Sequence, residues 1–218
     1  QRIFQQPFSW KSLGVDIRGR SRNLRVNYRT SHQIRKQSDR LLGPEVADID
    51  GNLECRGDTI SVFNGPLPEV VVTASEEEEA KRVALWIQEG MAQGVVPHEI
   101  AVIVRSEAQL PRAQRAVELA GSSHKILDGA TDTATGHVSI CTMPLAKGLE
   151  FRSVVVMACD DEIVPLQGRI ETVGDDADLQ EVYYTERHLL YVACTRARDH
   201  LLITSVAPAS EFLDDFRG

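Results

Sequence analysis

Three short segments carry side chains suited to a charged, ring-bearing ligand. In Leu24-Arg-Val-Asn-Tyr-Arg-Thr-Ser31 a strand runs into a helix start, with Tyr28 and Arg29 at the junction. That junction reads as the meeting of a sheet's carboxyl edge with a helix amino end, the usual ligand edge of α/β folds. An aromatic ring beside a guanidinium suits stacking on a base and reaching a phosphate. In Val138–Phe151 a strand ends at Thr142, and a turn then presents Lys147, Gly148 and Glu150. Gly148 lets backbone come close to a ligand, Glu150 can accept from sugar hydroxyls, and Thr142 can contact a phosphate. Glu186–Arg198 is a helix, apolar from Leu189 to Ala193, that exposes Thr195, Arg196 and Arg198 near its end. Phosphoryl-transfer sites use such a guanidinium against charge developing on a γ-phosphate. Taken alone, the first and third have plainer explanations: a surface tyrosine beside a solvated arginine, and a helix-end arginine favoured by the dipole.

The elements that must hold these groups alternate along the chain. Glu69 to Thr73 is a β-branched strand, and Ser75 with Glu78 forms a capping box for the helix that follows. Ala80, Val83, Ala84 and Ile87 recur at helical spacing, and Gly94 and Pro97 end the helix. The acidic run Glu76–Glu79 reads as a first turn favoured by the helix dipole. Ile100–Val104 reads as a strand buried on both faces. A helix is expected from Ala108 to Ala120, then strands at His124–Leu127, Val138–Thr142 and Val154–Ala158. A long helix over Leu179–Cys194 and a strand at Leu201–Ser205 close the series. Gly43–Pro68 reads as loop with one short strand at Thr59–Phe63. This pattern predicts an α/β fold, a mostly parallel sheet flanked by helices on both faces.

Composition narrows the classes. The 218 residues are 42% hydrophobic and 26% charged, as in an ordinary globular domain. No apolar run approaches a bilayer span, so no membrane partner is expected. Cys55, Cys141, Cys159 and Cys194 are scattered, without metal-ligand spacing; no metal site is predicted, and a reducing cytoplasm fits best. The net charge of −8 hides an asymmetry: residues 1–40 hold ten basic side chains against Asp16 and Asp39. A basic surface on an acidic body can track a phosphate backbone, or simply be solvated.

Order and spacing say more than any segment alone. "NYRTS", "TMPLAKGLEF" and "LLYVACTRA" resemble the fourth, fifth and sixth motifs of superfamily 1 helicases of the UvrD/Rep/PcrA type. The likeness runs from Gln1 to about Ser205, and "QRIF" resembles the tail of the third motif. The resemblance implies a single RecA-like domain over residues 1–218, the second of two, within a longer protein. It implies ATP with Mg²⁺, shared with an N-terminal RecA-like domain, and single-stranded or partly duplex DNA as partner. By the same resemblance Tyr28 stacks on adenine and Glu150 binds ribose beside Gly148. Gln1, Arg29 and Arg196 face the γ-phosphate, Arg196 as arginine finger. Thr142, Lys147 and Arg105 fall to the DNA track.

Several features depart from that pattern. No G-x-x-x-x-G-K-[ST] loop occurs, so the phosphate cradle and Mg²⁺ ligand are expected from the other domain. Pro144 replaces the DNA-contacting histidine of motif five. "QQPFSW" replaces an aromatic-arginine pattern, leaving Trp10 either a stacking platform or a core residue. Only Ala130–His137 stands where relatives insert a helical subdomain, so that insertion is expected to be absent. Val154–Glu162 mimics a strand ending in Walker B carboxylates, yet its place after motif five makes Asp160–Glu162 loop residues. A non-catalytic RecA-like module that holds nucleic acid or protein is the alternative to a motor domain.

Overall fold

The computed structural model describes residues 26–42, 45–47, 53–55, 60–129 and 133–217. Gln1, Trp10 and most of the basic amino-terminal stretch lie outside them. The strands are β1 (Val26–Asn27), β2 (Glu45–Ala47), β3 (Leu53–Cys55), β4 (Ile60–Ser61), β5 (Glu69–Thr73), β6 (Ile100–Val104), β7 (His124–Ile126), β8 (Val138–Thr142), β9 (Phe151–Val156) and β10 (Ala197–Val206). The helices are α1 (His32–Asp39), α2 (Glu76–Ala92), α3 (Leu110–Leu119), α4 (Gln167–Ile170), α5 (Asp176–Cys194) and α6 (Asp214–Arg217).

Six strands form one parallel sheet in the order β5-β10-β9-β6-β8-β7. The all-apolar run of β6 has the reason the sequence suggested: every residue is buried. Ala101 and Ile103 join Ile34, Leu190, Ala193 and Phe212 on one face. Ile100, Val102 and Val104 join Val83, Ile87, Ala116 and Val117 on the other. Each buried isoleucine contributes about 1.5–3 kcal/mol, so the central strand anchors both layers. Cys141, Cys159 and Cys194 pack as small apolar groups, and burial pushes the Cys141 thiol up to about 12.

Local signals set most boundaries. Ser75 Oγ accepts from the Glu78 amide at 3.3 Å, and the Glu78 carboxylate accepts from the Ala74 amide at 3.1 Å. Asp175 caps α5 through the Ala177 and Asp178 amides, so the helix begins at Asp176, three residues before the expected start. Two strands begin earlier than hydrophobicity suggests, β9 at Phe151 and β10 at Ala197. Their first turns carry Arg152, Arg198 and Asp199, which pair with one another at the sheet's edge and so tolerate strand geometry.

Three expectations need correcting. Gly43–Pro68 holds, among its described residues, not one short strand but three, with β2 and β3 paired antiparallel in addition to β4. β1 is not a strand of the main sheet; it pairs with β4 in a separate two-stranded ladder. And the acidic run at the start of α2 is not only a solvated first turn. Glu79 is fully buried and accepts from Arg112 Nε at 2.6 Å and from the Ala158 amide at 3.1 Å. Arg112 also donates to Asp160 at 2.7 Å, and Asp160 accepts from the Val206 amide. Asp160 therefore lies beyond the strand, as expected of the Walker B mimic, and serves a structural ion network.

That network makes a stability prediction. Arg112→Ala leaves two carboxylates uncompensated, one of them fully buried, and should cost about 3–5 kcal/mol in urea unfolding. Lys81→Ala, which breaks the exposed Lys81–Glu77 pair, should leave the midpoint unchanged within error.

Candidate nucleotide and nucleic-acid site

The amino ends of β9 and β10 gather one group of nominated residues. Phe151 N–H donates to the Arg196 carbonyl at 3.0 Å, and Ala197 pairs with Phe151 in register. Glu150 and Arg196 thus stand immediately before two adjacent strands. Ser31 N–H donates to the Arg198 carbonyl at 2.9 Å, which lays Tyr28–Ser31 along the start of β10. Arg29 Nε then lies 3.6 Å from Glu150 Oε2. The sequence places Tyr28 and Arg29 at the carboxyl edge; they sit at the amino edge, because β1 pairs with β4 rather than within the main sheet and Ser31 is bonded to the start of β10.

Arg196 is not a free helix-end cation. α5 stops at Cys194, and the half-buried guanidinium folds back onto that end. Its Nε donates to the Val192 carbonyl at 3.0 Å, Nη1 to the Leu149 carbonyl at 3.1 Å and Nη2 to Thr195 Oγ1 at 3.4 Å. Burial, and then the charge of Arg29, push its pKa below the ordinary arginine value. Two guanidinium groups face one carboxylate here, and the Arg29 and Glu150 side chains remain 74% and 46% exposed. Tyr28 is 70% exposed beside them. An excess of positive charge, a free ring and a carboxylate together suit an anion joined to a planar, hydroxyl-bearing group. Gly148, at φ 87°, makes the turn that brings Glu150 round. Arg198 is held by Asp199, whose carboxyl lies below its usual range because of Arg198 first and Arg152 next.

Thr142 and Arg105 lie at the opposite, carboxyl edge, where β8 and β6 end in register. They line a cleft of about 480 Å³ with Leu110, Ile126, Asp128 and Pro144. Arg105 is committed inward: its Nε and Nη2 each donate to Glu186 at 2.6 Å, and it is 6% exposed. Glu186 also takes Arg169 Nη1 at 2.8 Å and the Leu166 amide at 3.3 Å. Burial alone would raise its pKa, but the Arg105 and Arg169 contacts outweigh that and hold it down. Lys147 is exposed on the turn between the two edges. Among the described residues no group of three or more His, Cys, Asp or Glu gathers as a metal site, and no helix is long and apolar enough to cross a membrane.

Sequence reasoning missed Thr30 and Glu186, and it read Thr195 as an exposed helix-end group although its hydroxyl turns back to the Tyr191 and Val192 carbonyls. For Glu186 a signal existed: it shares the helical stripe of Leu189, Leu190 and Ala193, where an acid must be buried and paired.

With this geometry in hand, likeness to known proteins becomes specific. Residues 122–207 match the model of the UvrD-like helicase C-terminal domain, spanning Thr142, Gly148, Glu150 and Arg196. Over 72 residues, 32% of the chain, it is 43% identical to the protein of Bacillus subtilis (strain 168) named "Putative ATP-dependent DNA helicase YjcD". It is 42% identical over 73 residues, 34% of the chain, to the ATP-dependent DNA helicase PcrA of Staphylococcus aureus (strain MRSA252). Each match covers 9% of the relative's length. The fold is shared with the C-terminal domain of a possible DNA helicase from Lactobacillus plantarum WCFS1, at TM-score 0.60 and 24% identity. That alignment covers 87% of this chain and 94% of the other.

Two predictions follow from the site's construction. Gly148→Ala forces a Cβ into the left-handed region and should cost about 1–2 kcal/mol. Gly90→Ala, inside α2 with open space around it, should instead stabilise by about 0.5–1 kcal/mol in the same thermal melts. Glu186 has a depressed pKa, so its contribution is full above the ordinary 4.5 and is lost as pH falls through the lower folded value. Urea midpoints of Glu186→Gln should therefore start lower at neutrality and fall less steeply on the acid side of 4.5 than wild type.

Proposed function

We propose that this chain is the C-terminal RecA-like half of an ATP-dependent DNA helicase or translocase, supplying the γ-phosphate arginines. The observation that carries the reading is the charge balance at the amino edge. Arg29 and Arg196 repel each other, the single carboxylate of Glu150 acts on both, and a polyphosphate would supply the missing negative charge. On this reading Tyr28 stacks on adenine, Glu150 accepts from ribose hydroxyls, and Gly148 lets the chain approach. Arg196, with three donors spent on the protein, keeps two N–H groups for the γ-phosphate. Gln1 would join them from outside the described residues.

The remaining parts come from elsewhere. No phosphate loop is present in the chain, so an N-terminal RecA-like domain would grip the triphosphate and hold Mg²⁺, which neutralises phosphate charge when bound. Closure of that domain on Arg29 and Arg196 would then depend on nucleotide. Single-stranded DNA would cross the carboxyl edge at Thr142 and Lys147. Arg105, tied to Glu186, contributes positive potential there rather than a direct phosphate contact. Pro144, without an N–H, offers no donor either. Residues 143–150 cross from the DNA edge to the nucleotide edge, a direct mechanical path between the two. A cytoplasmic location accompanies this reading.

The test is DNA-stimulated ATP hydrolysis with the phosphate-loop domain present. Arg29→Ala and Arg196→Ala should each lower the rate about a hundredfold or more. Rates within a few-fold of wild type would place ATP elsewhere and leave a non-catalytic binding module. The chain alone should hydrolyse ATP negligibly.

A further inference from the structure

The two arginine segments are joined by bonds that neither arginine makes. Thr30 is 2% exposed, and its Oγ1 donates to the Thr195 carbonyl at 3.3 Å, across 165 residues of sequence. The next residue, Ser31, donates its amide to Arg198. Thr195 is itself central to the finger: its hydroxyl accepts from Arg196 Nη2 and points its own proton toward the Tyr191 and Val192 carbonyls, 2.9 and 3.1 Å away. One residue therefore receives Thr30 on its carbonyl and Arg196 on its side chain.

The outer side of this contact is closed as tightly. A Cβ on Gly65 would lie 3.0 Å from the Asp199 carbonyl oxygen and from Ser31 Cβ and Oγ. The Gly65 amide donates to Gln33 Oε1 at 2.9 Å, and the His32 amide to the Phe63 carbonyl at 3.0 Å. Residues 63–65 thus press the Thr30–Ser31 turn onto the start of β10.

Something must hold Arg29 there, because its charge and that of Arg196 oppose the arrangement. The Arg29–Glu150 contact is long, 3.6 Å, and largely in solvent, so it contributes little. The Thr30–Thr195 hydrogen bond is part-buried and made to backbone, so solvent and salt screen it less. A threonine hydroxyl also has cheaper local partners in its own turn, yet Thr30 reaches across the fold.

We propose that Thr30 is a positioning residue of the nucleotide site, fixing Arg29 in register with Arg196 before any nucleotide arrives. The proposal rests on the function proposed above. It gives the arginine pair a preorganised geometry, so that the anion meets both groups without first ordering either.

The experiment is a double-mutant cycle in ATP hydrolysis, with the phosphate-loop domain and DNA present. Thr30→Val keeps shape and removes the donor; kcat should fall roughly three- to tenfold, while KM moves by less than about twofold. Thr30→Ser should restore the rate. In the Arg29→Ala background Thr30→Val should have no further effect. Gly65→Ala, which displaces Ser31 from outside and keeps the hydroxyl, should reproduce the kcat loss. Unchanged kcat in Thr30→Val, no rescue by serine, or an equal loss in the Arg29→Ala background would overturn the positioning role. If Arg29→Ala and Arg196→Ala themselves leave the rate intact, the nucleotide site is misassigned and both readings fall. A loss with the arginines but none with Thr30 removes this inference alone.

Discussion

The amino edge of the sheet depends on one backbone contact, the hydrogen bond from Phe151 N–H to the Arg196 carbonyl. Because β9 and β10 are parallel neighbours, this bond puts the residues just before each strand side by side. One is Glu150 and the other Arg196. The same register leaves the Leu149 carbonyl within reach of Arg196 Nη1, so the strand pair also orients the guanidinium. Arg29 enters from a separate ladder and is fitted to the first residues of β10 through Ser31. A one-residue slip between β9 and β10 would exchange their two faces and scatter the group. The regular ladder from Ser153–His200 to Val156–Ile203 is held by burial on both sides of the sheet, Val154 and Val156 facing one core and Val155 the other, and the register shifts between it and the Phe151–Ala197 pair.

The opposite edge is built by different means. There the strand ends are tied by ion pairs set into the protein rather than by exposed charges. Glu186 draws Arg105 from the end of β6 and Arg169 from α4 onto α5. Glu79 and Asp160 draw Arg112 between α2, α3 and the end of β9. Removing water from such groups is costly, and good geometry with several hydrogen bonds per carboxylate offsets that cost. These networks tie the carboxyl-edge side chains of Arg105 and Arg112 to buried carboxylates. From Glu186 to Cys194 α5 runs about 12 Å back toward the amino edge, so the helix that braces one edge also carries the start of the Arg196 turn.

Much of this was legible in the sequence, and the limits have physical reasons. Strand–helix alternation and the apolar run of Ile100–Val104 give a parallel sheet covered on both faces, because only double burial favours such runs. The Ser75 cap and the turn at Gly94 are local, and local chemistry can be read locally. Edges are not local. Which end of a sheet a short strand approaches depends on partners far away, so Tyr28 and Arg29 were assigned to the carboxyl edge. Arg105 looked available because its partner Glu186 lies 81 residues on. Thr30 sat inside a recognised motif, but its reach to Thr195 spans the chain.

The stored repulsion at the amino edge has a consequence for how such a half-site would work. Two cations held together by neutral hydrogen bonds form a site whose free energy falls when an anion arrives, and falls most when the anion touches both. If another domain holds that anion, the gain is available only on closure, so binding of phosphate and approach of the domains become one equilibrium. Linkage then requires the reverse: whatever favours closure also tightens the grip on the anion. On the proposed function, when the bond to the terminal phosphate breaks and its charge leaves, Arg29 and Arg196 would return to mutual repulsion and closure would lose its support. On the proposed reading the cycle needs no large change within this chain. The sheet, its buried ion networks and the Thr30 contact stay fixed, and the gain and loss of one anion at the two arginines drives the motion between domains.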